Sequence, residues 1–356
     1  MRDIDKLIRF ILKWCCWELR YPVWTEDIFL FMKEFKTIDE QILLLKNRGM
    51  IFNREAEASW LLKDFNYYNI INGYKDPFLV HADTFKKNTS FEEVYSLYIF
   101  DKRLKDIFLK YILKIETILR SIIAYEFSKV HDNDNYLKVS CFDTYDANIF
   151  VNKEKKQKRL HDIQNLIAKL NKDISSGINN KPYIKHYMMN YGFVPLWVLV
   201  NAISFGTLAN FLELMKQQER VTIAMHFGIS ENELIQYVKL LVYFRNICAH
   251  SERLYNSKVP HFLFIPDNEV HRELNIPQNK VGLYLHGKND LFALVITLDI
   301  LYLPKGDYEL HKEIKLALNS LENELKVISI YDIIKLMNFP LTWYQSKKKS
   351  KYLVKA

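Results

Sequence analysis

Apolar residues recur at helical spacing along much of the chain. One such row predicts a core-facing stripe and consists of Phe108, Tyr111, Ile112, Ile115, Leu119 and Ile122. Capping-box patterns mark where two helices begin. Ser90-Phe91-Glu92-Glu93 opens a helix that runs through Asp101 and beyond, and Ser230-Glu231-Asn232-Glu233 opens a second, strongly apolar one. The pattern predicts helices packed around a large core.

The pattern changes in two regions. Residues 132–152 are less regular and are followed by a basic helix that extends to Asp173. Ser175-Ser176-Gly177 is predicted to break this helix. Residues 132–180 are therefore interpreted as an insertion in the helical core. After residue 256, prolines and glycines punctuate short segments. Alternating Val281, Leu283 and Leu285 indicate a small β-hairpin there, and apolar residues 291–303 fit either a buried helix or strands.

These changes predict three segments. Residues 1–36 form an N-terminal helical extension, 37–256 a helical core with the insertion, and 257–356 an accessory region with a basic tail. The uncharged stretch 187–212 is long enough to span a bilayer, but its polar residues favour a buried core helix. Residues 7–19 carry charges and indicate an amphipathic helix, neither a signal peptide nor a membrane anchor.

Composition supports a mainly α fold. Only 9 Gly and 9 Pro occur among 356 residues, and 49% of the residues are hydrophobic. The four cysteines lack the spacing of a zinc site or a disulfide framework, so a reducing cytoplasm is expected, with no metal and no cofactor. Cys248 is interpreted as a small buried helix residue and not a nucleophile, because apolar surroundings raise a thiol pKa.

Positive charge points to a polyanionic partner. The net charge is +8, and basic residues cluster at 153–159 and 347–351. In the first cluster Lys155, Lys156, Lys158 and Arg159 are candidates for contacts with an RNA backbone. The alternative for both clusters is a solvated helix face or a frayed terminus.

Residues 245–256 contain the candidate chemistry. Arg245 precedes His250 by five residues, and this pair suggests metal-free attack of a 2′-hydroxyl on an RNA phosphodiester. His250 would act as general acid or base, since imidazole titrates near neutral pH, and Arg245 would clamp the phosphoryl oxygens. Asn246 would orient the imidazole or the ribose.

Helical geometry constrains this pair. At 100° per residue Asn246, His250 and Arg253 share one stripe, whereas Arg245 and His250 lie about 140° apart. Either the helix bends or ends near His250, or two copies of the helix grip one phosphate at a homodimer seam. The apolar row of this helix leads onto Arg245, which would therefore point toward the packed side. A buried guanidinium then needs a carboxylate or a phosphate.

Glu116 and Arg120 lie one turn apart on a predicted helix. Their spacing indicates an intrahelical ion pair. The functional alternative is that Glu116 pairs with Arg245 when the site is empty.

Residues 245–256 closely resemble the signature of the bacterial Abi-like abortive-infection proteins (the AbiD/AbiF group), within the HEPN superfamily of all-α ribonucleases. Other segments resemble the family in the same order: Asn66-Tyr67-Tyr68, Gly73-Tyr74 and Pro77-Phe78; 98–104 as its next helix; Ile115-Glu116 with Leu119-Arg120 as the helix after; and 187–192, 195–197 and 204–208 as its central block. Together they cover roughly residues 37–256.

Two departures from the family pattern stand out. Lys75-Asp76 replaces aromatics, and Ser251-Glu252 replaces a His-Ser pair, which leaves the proton transfer to His250. The resemblance implies a mainly α, HEPN-like helical bundle with additional helices, and a metal-independent endoribonuclease of phage defence. It further implies a homodimer with a composite site, restraint by a partner such as a small noncoding RNA, and supporting roles for Arg253, Tyr255 and Asn256.

Two other functions remain open from the sequence. In the first, Arg245 and His250 grip RNA without cutting it, which makes the protein a non-catalytic RNA-binding module of defence. In the second, the protein is purely structural, which accounts for the aromatic-rich helices but not for residues 245–256. Loss of cleavage without loss of RNA binding in a His250→Ala variant separates the enzyme from the binding module.

Overall fold

A computed structural model describes residues 35–132, 135–145, 152–250, 252–302 and 309–345. The predicted N-terminal helix at 7–19 and the lysine-rich tail lie outside these residues. The described helices and strands, in chain order, are α1 Ile38–Asn47, α2 Glu55–Phe65, β1 Leu79–His81, β2 Thr84–Phe85, α3 Phe91–His131, α4 Lys153–Asn180, α5 Pro182–Tyr191, α6 Leu196–Leu199, α7 Phe205–Leu214, α8 Gln217–Met225, α9 Glu231–Ala249, α10 Glu269–Glu273, α11 Leu291–Tyr302, α12 Glu309–Glu322, α13 Ile330–Leu336 and α14 Leu341–Gln345.

Helix α3 is the axis of the fold. Its 41 residues span about 60 Å at 1.5 Å per residue, and α9, α11 and α12 pack along it. The predicted apolar stripe is its buried face, where Ile112, Ile115 and Leu119 have no exposed surface. The resemblance predicted two helices here, which is wrong, because residues 91–131 contain no glycine or proline to interrupt the helix.

The two predicted capping boxes differ. At α9 the box is complete, since the Ser230 side chain accepts from the Glu233 N–H and Glu233 caps Ser230 in return. At α3 only the Ser90 half forms. The Glu93 carboxylate instead accepts the N–H groups of Lys326 and Val327, both at 2.8 Å, and so ties the C-terminal helices to the start of α3.

The predicted mainly α class is confirmed. Among the described residues one two-stranded antiparallel sheet accompanies the helices, but it does not lie in the C-terminal region where a hairpin was predicted. Strands β1 and β2 form it at 79–85. In the predicted C-terminal position only a single antiparallel bridge joins Gln278 to Tyr284. The Asn279 carboxamide there accepts the N–H groups of Val281 and Leu283, which competes with strand pairing. Residues 291–302 are a helix.

The predicted break at Ser175-Ser176-Gly177 is also wrong, because α4 continues to Asn180. Gly177 serves close packing. A Cβ atom at this position would lie 3.1 Å from Ile184, so the glycine lets α5 approach α4.

The uncharged stretch 187–212 forms the end of α5, all of α6 and most of α7. Gly192 ends α5 in the left-handed conformation, and Ser204 caps α7. Leu196, Leu199 and Leu208 have no exposed surface, so this stretch contributes to the core. In the ranges that the structure describes, no helix combines the length and hydrophobicity needed to cross a bilayer.

Candidate functional site

Helix α9 ends just before the predicted catalytic histidine. Its last residue is Ala249, and His250 is the C-cap with extended backbone angles (φ −115°, ψ 175°). The chain therefore leaves the helix axis at His250. This agrees with the first geometric option from the sequence, in which the helix bends or ends near His250. The predicted stripe of Asn246, His250 and Arg253 does not form, because Arg253 lies in the loop that follows.

Arg245 lies on a different part of the helix surface. It is half-buried, and its Nε atom is buried without a hydrogen-bond partner among the described residues. Asn246 is exposed to solvent. Neither residue lines the cleft that contains His250. Within one chain, His250 therefore lines the cleft and Arg245 does not.

His250 faces a cleft of about 520 Å³. The cleft lies between the end of α9, the first third of α3 and the segment 68–74. Its lining residues are the tyrosines Tyr68, Tyr74 and Tyr98, the amides Asn69 and Asn72, the cations Lys102, Lys105 and Arg253, the acids Asp106 and Glu252, and Gly73, Cys248 and His250. Aromatic rings, amides, cations and an imidazole thus share one concave surface.

Asp101 fixes the loop that follows His250, and sequence reasoning missed this role. The side chain of Asp101 is fully buried. Its carboxylate accepts the N–H groups of Leu254 (3.1 Å) and Tyr255 (2.6 Å) and the Tyr74 hydroxyl (2.7 Å), and the Lys105 ammonium lies 3.5 Å away. The available signal was a carboxylate on the apolar face of α3.

Arg253 and Tyr255 tie the same loop to the segment 73–76. Arg253 donates to the Gly73 carbonyl at 2.6 Å and pairs with Asp76 at 3.4 Å. Tyr255 is buried and stacks on Tyr74 with the ring centroids 5.9 Å apart. Burial raises the pKa of the Tyr255 hydroxyl, which therefore stays protonated. Asp76, one of the departures from the family pattern, thus acquires a partner.

The cations of the cleft differ in how far they are already engaged. Lys105 is nearly buried beside Asp101. Lys102 is exposed and lies over the rings of Phe65 (5.2 Å) and Tyr98 (5.6 Å), with no carboxylate partner in the described part of the chain. Lys102 is therefore the cation best placed to meet a phosphate.

The geometry of this region coincides with a family match. Residues 60–256, more than half of the chain, match the Abi-like protein family. The chain belongs to this Abi-like family. The match contains every residue that lines the cleft. No curated protein and no solved structure matched the chain in the two other comparisons.

Cys248, inside the Abi-like motif, is buried as predicted. Burial, with a smaller contribution from the Asp101 charge, raises the pKa of its thiol to about 12. The thiol is therefore protonated at neutral pH and is a poor nucleophile. Across the described ranges, no three His, Cys, Asp or Glu side chains are grouped as metal ligands.

Glu116 and Arg120 form the predicted intrahelical pair. The Arg120 guanidinium bonds to Glu116 Oε1 and to the Val200 carbonyl. Glu116 Oε2 and Arg245 Nε are both buried without a hydrogen-bond partner among the described atoms, so they do not bond to each other. Arg120 lines a second groove, together with Trp197 and Asn201. The pair therefore lies outside the cleft of His250.

The basic cluster on α4 is also remote from the cleft. Lys155 and Lys158 are exposed and Lys156 is half-buried. Arg159, in contrast, is buried and donates to the carbonyls of Asp143 (2.9 Å) and Glu213 (2.7 Å).

This cluster and the cleft lie at different levels of α3. Phe142 precedes Asp143, whose carbonyl binds Arg159, and it packs on Phe127 of α3. The cleft, in contrast, lies at the level of Lys102 on α3. The two levels are about 38 Å apart at 1.5 Å per residue. Arg159 is a structural residue, and only its lysine neighbours remain candidates for RNA contacts.

Proposed function

We propose that this Abi-like protein is an antiphage abortive-infection RNA endonuclease that acts without a metal. One observation carries the proposal. His250 leaves α9 as its C-cap and enters a cleft whose walls provide cations and aromatic rings. Cations bind phosphates and aromatic rings stack on bases, and these are the two recurring features of RNA recognition.

The proposed reaction needs one group that moves protons. The 2′-oxygen attacks phosphorus as His250 accepts the hydroxyl proton, and the bond from phosphorus to the 5′-oxygen breaks as His250 returns that proton to the leaving oxygen. The products are a 2′,3′-cyclic phosphate and a 5′-hydroxyl. Lys102 neutralises charge on the phosphate in the cleft.

We further propose that Arg245 acts across a homodimer seam. Its Nε atom is buried and unpartnered among the described atoms, and it lies outside the cleft of its own chain. An unpaired guanidinium in such a position favours a ligand phosphate or a carboxylate supplied by a second copy. In this arrangement Arg245 of one chain holds the phosphate that His250 of the other attacks.

Such an enzyme needs restraint before infection. A small noncoding RNA is the proposed partner, because the net charge of +8 and the lysines of α4 provide a surface for it. The expected result is that the purified protein carries nucleic acid and that its unaccompanied expression is toxic. If the purified protein carries no nucleic acid and its expression alone does not harm the host, the proposed restraint by a noncoding RNA is contradicted.

The test of cleavage compares wild type, His250→Ala and the matched control His226→Ala, an exposed histidine at the end of α8 and outside the cleft. Each protein is incubated with total bacterial RNA in EDTA, and the cut ends are mapped. We expect cyclic-phosphate ends with wild type and His226→Ala and none with His250→Ala. Equal cutting by all three overturns the assignment of His250.

A non-catalytic RNA-binding module is the second candidate. The absence of Arg245 from the cleft favours it, since a single chain then lacks the phosphate clamp at His250. This candidate predicts RNA binding without cleavage in every variant, including protein stripped of bound nucleic acid.

A further inference from the structure

Tyr68 is displayed at the cleft in an unusual local conformation. Asn66 adopts a positive φ of 70° and its carboxamide accepts the Tyr68 N–H at 2.8 Å, and the chain then enters a π-helical turn, Tyr68–Asn72. π-Helical turns are rare in proteins and frequently lie at functional sites. The turn leaves Tyr68 69% exposed while Ile70 and Ile71 are fully buried.

The Tyr68 ring has no aromatic or cationic partner among the described residues, unlike the neighbouring Tyr98, which packs on Tyr74 at 5.5 Å. An isolated exposed tyrosine is ordinary. Tyr68 differs because it borders the cleft of His250 and Lys102, next to two carboxamides, Asn69 and Asn72. A carboxamide can both donate to and accept from the edge of a base.

We infer that this segment is a base-recognition platform and that the cleft takes an unpaired nucleotide of single-stranded RNA. Tyr68 stacks on the base, Asn69 and Asn72 contact its edge, and Lys102 holds the neighbouring phosphate. The inference rests on the proposed function, because it takes the cleft around His250 as the RNA site. A cleft of about 520 Å³ accommodates one nucleotide. Bases within a duplex are stacked and paired, so they are unavailable to the ring.

The experiment measures binding separately from cleavage. Full-length His250→Ala protein is titrated into fluorescein-labelled oligoadenylate, and into the same strand annealed to oligouridylate, with fluorescence anisotropy as the readout at fixed salt. We expect the single strand to bind at least about tenfold more tightly than the duplex. Stacking contributes roughly 1–3 kcal/mol per base, so Tyr68→Leu is expected to weaken single-strand binding at least about fivefold. Tyr68→Phe keeps the ring and recovers most of that loss.

The matched control is Tyr125→Leu, which removes a tyrosine that is 64% exposed on the same molecule but outside the cleft. Equal affinity for duplex and single strand, or equal losses in Tyr68→Leu and Tyr125→Leu, overturns the inference.

Failure of the inference can be told apart from failure of the proposed function. If Tyr68→Leu weakens single-strand binding but wild type cuts no RNA, base recognition by Tyr68 is supported and the proposed nuclease activity is contradicted. If wild type cuts RNA but Tyr68→Leu binds and cuts like Tyr125→Leu, the proposed nuclease activity is supported and base recognition by Tyr68 is contradicted.

Discussion

Asp101 lies outside the motif that contains His250, yet it determines where the chain goes after that residue. Its carboxylate accepts two consecutive backbone N–H groups, from Leu254 and Tyr255, and the hydroxyl of Tyr74. Water cannot replace these bonds because the side chain is fully buried. Burying such a carboxylate is favourable only while its donors and Lys105 stay in place. The loop after His250 is therefore anchored at its far end.

Replacing Asp101 by Ala should destabilise the protein by roughly 3 kcal/mol or more, because three buried donors and Lys105 lose their acceptor. Amide hydrogen exchange at Leu254 and Tyr255 should accelerate at the same time. Urea unfolding and exchange mass spectrometry measure the two effects. Asp106→Ala, an exposed acid five residues further on, is the control and should change stability by less than about 0.5 kcal/mol. Equal effects of the two substitutions contradict the anchoring role.

The Cys248 thiol should be inert in the folded protein. Its pKa of about 12 leaves almost no thiolate at pH 8. Iodoacetamide should therefore leave the peptide containing Cys248 unmodified under native conditions and alkylate it in urea, as read by mass spectrometry. Native alkylation at the rate of a free thiol contradicts the predicted protonation state. Cys248→Ala should retain RNA cleavage, since no proton or bond in the proposed reaction involves this sulfur.

At the scale of elements, Asp290 supports the start of α11. Its carboxylate is nearly buried and accepts the N–H groups of Gly287 (2.9 Å) and Ala293 (2.9 Å). Burial outweighs these hydrogen bonds and raises its pKa to about 6. An unfolded aspartate titrates near 3.9. The folded state therefore binds the proton more tightly, and this contribution to stability is complete below about pH 4 and lost as pH rises through about 6.

Comparison with Asp290→Asn isolates this contribution, because the variant cannot titrate and other buried acids such as Glu219, whose pKa burial also raises, are common to both proteins. The free energy of unfolding of wild type, relative to the variant, should fall by roughly 2–3 kcal/mol between pH 4 and pH 7. Urea unfolding across that range provides the measurement. Parallel pH profiles contradict the raised pKa.

The helices and strands also show which structural features could be predicted from the sequence alone. Helical spacing and the Ser230 capping box predicted the helices that surround the cleft, because those signals are local. Gly177 suggested a break, but its role depends on Ile184 of the next helix. The C-terminal hairpin was predicted from three alternating residues that remain exposed. Short alternation predicts a strand only when a partner covers one face.

The cleft was only partly predictable for the same reason. His250 and Arg253 were identified from residues 245–256, and both line it. Tyr68 and Lys102 were quoted only as part of family-like segments, and Asp101 only as one residue of a helix. Their importance arises from contacts between segments about 150 residues apart in sequence, as between Asp101 and Tyr255. Local patterns contain no information about such pairings.

At the scale of the whole molecule, the C-terminal helices belong to the same packing unit as the cleft. Buried residues from 42 to 343 form one continuous hydrophobic cluster. Glu93 binds the backbone at Lys326 and Val327, and Lys110 pairs with Glu313. These contacts hold α12 and the following segment along the helix that carries Lys102 and Lys105. We therefore expect truncation after residue 256 to unfold the protein, as circular dichroism of the shortened chain would show.

The composite site makes a prediction that only pairs of chains can test. If Arg245 of one chain serves His250 of the other, an Arg245→Ala chain paired with a His250→Ala chain contains one complete site and one doubly defective site. Its activity should be about half that of wild type. A wild-type chain paired with an Arg245→Ala/His250→Ala chain then contains no complete site and should be inactive.

A site completed within one chain predicts the reverse result, with the first pair inactive and the second about half-active. Co-expression with two different affinity tags and tandem purification isolates each mixed dimer, and RNA cleavage in EDTA supplies the readout. Homodimers of each single variant serve as inactive references, and their mixture without co-expression reports subunit exchange. Because Arg245 does not line the cleft of its own chain, we expect activity in the first pair. Activity confined to the second pair would place both residues of the site in one chain and contradict the composite site.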